Sequence, residues 1–269
     1  VDVTDLMREW HLNPDGDVIR TFASDVYPVR FQGRAAMLKV SRIEEEARGH
    51  LLMVWLDGDG AARVYRHEGD ALLMERLLGT PNLTEMVQAG DDDAATRILV
   101  RAAQGVHRDR PAPWPELPEL RTWFRSLEVA AAGGGDYAAA WDVARALLDD
   151  PADVRPLHGD IHHGNVLWSP ERGWVVIDPK GLIGDPGYDY ANMLCNPSVE
   201  TALAPGRLER QVDVIVRARG PARPRLLAWL QAYAGLSAAW TLEGGDAAHA
   251  ARTLEVSRLA AGLLMSAGN

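Results

Sequence analysis

Cysteine is nearly missing: Cys195 is the only one in 269 residues. That excludes an internal disulfide framework and a cysteine-rich zinc site. Long apolar runs are missing too. Stretches such as "VAAAGGG" (129–135) are short and weak, far from the ~20 residues that a membrane-spanning helix needs. No secretory pattern stands at the start, so a cytoplasmic location and no membrane partner are expected. Positive charge is in deficit, with 28 Lys and Arg against 38 Asp and Glu and a formal net charge of −10. Nucleic acid is therefore not expected as the main partner, because phosphate backbones demand concentrated positive charge. A cationic small molecule suits such a protein, and an acidic balance also favours solubility. No fixed-period repeat and no low-complexity segment occurs.

What is present divides in two. The first third alternates as strands do: "VIRTFASDVYPVRF" (18–31), "AAMLKV" (35–40), "AARVYRHEG" (61–69) and "ALLMERL" (71–77). One helical segment interrupts them, "RIEEEARGHLLMVWLD" (42–57), with Ala47, Leu51, Val54 and Trp55 expected on one buried face. Beyond Gly79 the pattern turns helical. In "DDDAATRILVRAAQGVHRDR" (91–110), carboxylates open a helix whose stripe is Ile98, Leu99, Ala102, Ala103 and Val106. A proline-rich connector (110–120) cannot continue it. Helices are expected over about 119–132 and 136–149, then one hairpin, "NVLW" and "WVVID" around the turn "SPERG", then helices to the end. The expected class is α+β and bilobal. Residues 1–77 would form a small β-rich lobe with one helix, and 78–269 a larger, mainly helical lobe. Ligands commonly bind at such a junction.

The chemistry concentrates in "VRPLHGDIHHGNVLWSPERGWVVIDPKG" (154–181). His158, Asp160, His162 and His163 could form a metal cage, but no second ligand cluster matches them, His107 and His249 being isolated. Nucleophilic hydrolysis lacks a G-x-S-x-G motif, and Ser169 has no evident base. Phosphoryl transfer accounts for more. A loop with four residues between Asp160 and Asn165 turns a carboxylate to an acceptor hydroxyl and an amide oxygen to a metal. Asp178, leaving the apolar strand "WVVI", is poised to ligate Mg²⁺ held on phosphates. This reading demands a lysine on an upstream strand and a glutamate on the next helix. Lys39 and the trio Glu44, Glu45 and Glu46 meet that demand in the right order.

"LHGDIHHGNVLW" (157–168) followed by "WVVIDPKGLIGDPGYDYANML" (174–194) resembles the aminoglycoside phosphotransferases, and within them the streptomycin 6-kinase (aminoglycoside/hydroxyurea resistance kinase) group. "MLKV", "GDGAARV", "LLMER" and "GLSAAW" are similar to that group as well, and the likeness covers nearly the whole chain in order. It implies a protein-kinase-like fold that uses ATP and Mg²⁺. The acceptor would be a hydroxyl of a cationic aminoglycoside, most simply the 6-hydroxyl of streptomycin. Choline, homoserine, fructosamine and methylthioribose kinases share the central motif, so a sugar or amino alcohol stays open as the acceptor. A catalytically silent kinase-like binding module would show damage at Lys39, Asp160, Asn165 or Asp178, and all four are present.

By the resemblance, Asp160 would be the catalytic base or orienter, and Asn165 and Asp178 would hold Mg²⁺. Lys39 would contact the ATP phosphates with Glu46 as its partner, and Glu75 and Arg76 would offer backbone groups to adenine. His158 would buttress the loop and Asp189 anchor its backbone. His162 and His163 would either contact substrate or phosphate or pack the loop. The turn that would cover the phosphates, "TFASDVYP", has no glycine; Ser24 is the candidate amide there. Streptomycin carries two guanidinium groups, so its pocket should offer carboxylates and an aromatic face. Asp185, Glu243, Asp246 and Trp240 are the candidates.

Overall fold

Alternation along the first strands produces a two-faced sheet. The computed structural model describes residues 2–111 and 113–266. Up to Glu75 the chain runs α1 (Val3–Glu9), β1 (Asn13–Pro14), β2 (Ile19–Arg20), β3 (Ser24–Phe31), β4 (Arg34–Ser41), α2 (Glu44–Leu56), β5 (Val64–Glu68) and β6 (Ala71–Glu75). The sheet is antiparallel, in the order β1-β3-β4-β6-β5, with β2 also paired to β3. Between β3 and β4 the turn residues Gln32 and Gly33 both have positive φ, 50° and 78°, as a tight hairpin between twisted strands requires. On one face Ala36, Leu38, Ala71 and Leu73 pack with Leu6 and Trp10 from the α1 end. On the other, Leu72 and Met74 join Leu52, Met53 and Leu56 of α2. Cover on both faces explains why Ala71–Met74 reads as an unbroken apolar run.

Two local expectations need correction. The opening segment adds a helix, α1, capped by the Asp2 carboxylate, which accepts from Thr4 N–H at 2.8 Å. And α2 is a helix, but its buried side is Gly49, His50, Leu52, Met53 and Leu56; Val54 is exposed. Apolar residues occur on both sides of α2, so periodicity could not choose between them. Close approach at Gly49 decides it.

The remainder is helical apart from two small antiparallel strand pairs. In order come α3 (Leu83–Gln88), α4 (Asp92–Val106), α5 (Leu120–Trp123), α6 (Arg125–Ala131), α7 (Gly135–Asp149), β7 (Arg155–Leu157), β8 (Val166–Ser169), β9 (Gly173–Val176) and β10 (Leu182–Gly184). Then follow α8 (Gly187–Leu194), α9 (Val199–Ala202), α10 (Arg207–Arg217), α11 (Arg223–Glu243) and α12 (Ala247–Ser266). The α4 stripe is buried as expected. No helix covers 113–119, and residue 112 of the proline-rich connector lies outside the described residues. The helix expected over 119–132 is broken at Phe124, which is fully buried and packs against Tyr188 and Trp229. β8 pairs with β9 as the sequence implies, and a second pair, β10 with β7, sets Leu182 opposite Leu157. That unforeseen pair draws the "DPKG" segment alongside the His158 loop. α11 buries residues all round, Trp229, Leu230, Ala232, Ala234 and Leu236 among them, and forms the spine of this part.

Backbone bonds tie the two parts together. Ala62 N–H donates to Val176 O and Val176 N–H to Gly60 O, both at 2.9 Å, and Leu78 N–H donates to Trp168 O at 3.3 Å. Among the described residues no helix is long and apolar enough to cross a membrane.

Candidate active site

The loop between β7 and β8 is shaped by one buried carboxylate. Asp189, fully buried in α8, accepts Gly159 N–H at 2.8 Å and His158 N–H at 3.0 Å, and its Oδ2 lies 2.8 Å from His107 Nε2. His158 Nε2 donates to Ile177 O at 2.9 Å, which leaves Nδ1 to accept Asp160 N–H at 3.2 Å. Those partners fix one neutral tautomer. Burial, the dominant influence, also lowers the His158 pKa and so favours that neutral form. His158 and Asp189 thus stand where buttress and anchor were expected.

Asp160 is held at the mouth of this loop. Asn165 Nδ2 donates to its carbonyl at 2.9 Å and reaches Oδ2 at 3.4 Å, while Asn192 Nδ2 donates to Oδ1 at 3.3 Å. His162 Nδ1 accepts Gly164 N–H at 3.0 Å, so its ring proton sits on Nε2, 3.7 Å from Asp160 Oδ2. Burial alone would raise the Asp160 pKa. The neighbouring His162 ring first, then His158 and the Asn192 amide, outweigh it and hold the carboxyl at about 2.

Across the cleft, Lys39 is buried on β4 and donates to Glu46 Oε2 at 2.7 Å and to Asp178 Oδ1 at 3.1 Å. A strand, the next helix and the end of a hairpin 139 residues away converge on one ammonium. Asp178 has φ of +53°, a conformation aspartate tolerates better than most residues and one that clusters at functional sites. Glu46 has a second partner that sequence reasoning missed. Its Oε1 accepts from Lys180, which also lies 3.3 Å from Glu45. Burial pushes the Glu46 pKa up, but the two lysines more than reverse this and hold it low.

α2 delivers Glu46 to this cluster through a close backbone contact. A Cβ on Gly49 would stand 1.8 Å from Pro179 O. Gly49→Ala should lift α2 off the 178–181 segment and draw Glu46 from both lysines. We expect a loss of about 1–3 kcal/mol in stability by urea titration, together with weaker binding of an ATP analogue by calorimetry. An unchanged analogue affinity would show that the contact does not set the lysine cluster.

A cleft of about 790 Å³ opens beside Asp160, bordered by Gly159, Lys180, Glu45, Trp123, Trp240 and Glu243 among others. The Trp123 and Trp240 rings meet edge to face at 6.2 Å, and Ser126 Oγ donates to Glu243 at 3.0 Å. Trp240 and Glu243 therefore lie with Asp160, whereas the other two acceptor-site candidates do not. Asp185 is buried, accepts Ala152 and Gly187 N–H at 2.9 and 2.7 Å, and pairs with Arg225. Asp246 is exposed and accepts His249 N–H at 2.9 Å near the start of α12.

The nucleotide-side candidates also divide. Glu75 N–H donates to Arg63 O at 2.9 Å and Arg76 N–H to Ala35 O at 3.3 Å. Both N–H groups are therefore engaged. Ser24 N–H bonds Thr21 Oγ1 at 3.0 Å, so it too is occupied. His163 is buried with neither ring nitrogen partnered, which places it in loop packing. Among the described residues no group of three or more His, Cys, Asp or Glu is arranged to hold a metal ion. That removes the histidine cage as a self-sufficient metal site, and Ser169 is buried in β8.

A sheet part and a helical part that join Lys39, Glu46 and Asp178 in one cluster and Asp160 and Asn165 in another have the layout of the protein-kinase-like fold. A solved aminoglycoside phosphotransferase, crystallised as a ternary complex with ADP and hygromycin B, matches this fold. Its TM-score is 0.65 at 16% identity, over 95% of this chain and 97% of that one. The chain is 45% identical to a streptomycin 3″-kinase of Klebsiella pneumoniae over 89% of its own length and 92% of that protein's. It is 33% identical to a streptomycin 6-kinase of Streptomyces griseus over 92% and 84%. Residues 9–245 match the model of the aminoglycoside/hydroxyurea antibiotic resistance kinases, and the chain belongs to that family.

Proposed function

We propose that the chain transfers the γ-phosphoryl group of ATP to a hydroxyl of streptomycin, with the 3″-hydroxyl placed ahead of the 6-hydroxyl that the sequence motifs brought forward. The observation that carries this reading is the 45% identity to the 3″-kinase, against 33% to the 6-kinase. The acceptor would occupy the cleft beside Asp160, where Glu45, Glu243 and the Trp123–Trp240 pair offer charge and aromatic surface to guanidinium groups.

The donor side fits a metal carried on phosphates. Asp178 Oδ2 and Asn165 Oδ1 have no hydrogen-bond partner among the described residues, and two protein oxygens are what Mg²⁺ takes when phosphates and waters complete its shell. Bound there, Mg²⁺ would neutralise charge on the phosphate oxygens. Lys39, locked by Glu46 and Asp178, would hold the α- and β-phosphates. The acceptor oxygen attacks the γ-phosphorus as the bond to the β–γ bridging oxygen breaks, and that electron pair leaves with ADP. Asp160 orients the hydroxyl and takes its proton. A carboxyl at about 2 is a weak base, so the proton moves late, as a loose transition state allows.

The test is incubation with ATP, Mg²⁺ and streptomycin, followed by mass spectrometry and phosphorus–proton correlation. We expect a gain of one phosphate, correlated with the 3″ proton. Correlation with the 6 proton would move the site to the streptidine ring. Phosphorylation of a sugar or amino alcohol, but not of streptomycin, would replace the acceptor. No Mg²⁺-dependent ATP consumption with any of them would leave a binding module.

A further inference from the structure

Lys180 stands where α2, the His158 loop and the acceptor cleft meet. Its N–H donates to His158 O at 2.9 Å. A Cβ built on Gly159, the neighbour of Asp160, would be 3.1 Å from its Cβ. Its ammonium contacts Glu46 and Glu45, so Glu46 bridges two lysines, one oxygen to each. An ammonium carries three donors; two carboxylate contacts leave one, on a side chain that borders the cleft together with Gly159 and Asp160. The other cation bordering that cleft, Arg125, begins α6.

A cation so placed shares Glu46 with the lysine that would hold the phosphates and a cleft wall with the aspartate that would orient the acceptor. Negative charge on the transferring group spreads over its equatorial oxygens while it is bonded weakly to both sides. We propose that Lys180 is a further catalytic residue, its ammonium donating to the γ-phosphoryl group as that group passes from ATP to the acceptor oxygen. The proposal rests on the phosphotransfer reading above, but not on streptomycin as the acceptor. Lys180 gains and loses no proton in the step. The bond to the β–γ bridging oxygen breaks with its electron pair, the acceptor O–P bond forms, and the acceptor proton goes to Asp160. Lys39 retains the ground-state phosphates, and Lys180 strengthens its contact as the transition state forms.

The competing role is a brace that steadies Glu46 and α2. Binding separates the two roles. Wild type, Lys180→Gln and Lys180→Arg are titrated with a non-hydrolysable ATP analogue and with MgADP plus fluoroaluminate, a mimic of the transferring group that needs no antibiotic. In Lys180→Gln the fluoroaluminate complex should weaken by about 10²-fold or more. The ATP analogue should stay within about threefold of wild type, and Lys180→Arg should recover part of the loss. Circular dichroism and urea midpoints confirm that each variant folds. Equal weakening of both ligands in Lys180→Gln, matching Glu46→Gln, would make Lys180 a brace and overturn the proposal. So would a wild-type chain that binds the analogue but gains nothing from fluoroaluminate. Failure to bind any adenine nucleotide would instead remove the phosphotransfer reading itself.

Discussion

Asp160→Asn should reduce kcat by at least about 10²–10⁴-fold, the range of a positioned carboxylate, while the affinity for an ATP analogue stays near wild type. The split follows from the wiring. Asp160 borders the cleft proposed for the acceptor, and the cluster of Lys39, Glu46 and Asp178 proposed for the nucleotide makes no hydrogen bond to it. The substitution leaves one acceptor oxygen where two now receive Asn192 Nδ2 and Asn165 Nδ2, so one of those contacts is lost. The same wiring governs pH. With its carboxyl at about 2, Asp160 is ionised throughout the neutral range, so the rate of the wild type should show no acidic limb from this residue above about pH 4. His162 supplies the leading influences that lower this pKa. Steady-state kinetics from pH 5 to 8, with calorimetry of the ATP analogue, measure the loss and the flat profile. Retained turnover in Asp160→Asn would remove Asp160 from the mechanism.

The linear order of the motifs made much of this cleft legible. Asp160, Asn165 and Asp178 fall on one loop and one hairpin, so their convergence is local and the spacing carries it. Lys39 and Glu46 are far from them in sequence, yet strand alternation and the following helix leave few places for that pair. What escaped the sequence depends on tertiary contacts that no period records. The buried face of α2 is chosen by the approach of Gly49 to Pro179 O, and a glycine in a helix reads as a weakness until the loop is on the page. Lys180 shares Glu46 only because β10 pairs with β7 and brings its segment back beside His158. Asp185 looked like a free carboxylate near the site, but it is consumed by Arg225 and two backbone N–H groups. Ser24, Glu75 and Arg76 sit in the right segments with their N–H groups already bonded, and hydrogen-bond occupancy is not a property of sequence.

Stability should fall steeply between pH 6.5 and 4, before most carboxylates titrate. Three histidines are buried in the native state. Burial first, then the charges of Lys39 and His67, depress His50 to about 3 against the pull of Glu46. Burial and the Arg207 charge depress His163 to about 4 against the pull of Asp92, and His158 is depressed by burial in its neutral tautomer. In the unfolded chain each takes its proton near the ordinary value of 6.5. Below that pH the unfolded state binds protons that the native state refuses, so stability is lost as pH falls. Each histidine contributes at most about 1.4 kcal/mol per pH unit, and three together at most about 4 kcal/mol per unit. Against a total of roughly 5–15 kcal/mol, that removes a large share of the stability by pH 5. Glu46 and Asp160, whose pKa values are lowered, add stability that is present above the ordinary carboxylate range and lost only below it. They therefore steepen the fall at its acid end and do not start it. Urea midpoints by circular dichroism at pH 7.5, 6.5, 5.5 and 4.5 measure the slope, and a flat midpoint down to pH 5 would refute it. His163→Gln isolates the cause: its ring makes no hydrogen bond among the described residues, and its removal should take away up to about a third of the pH slope while the His158 loop keeps its Asp189 anchor.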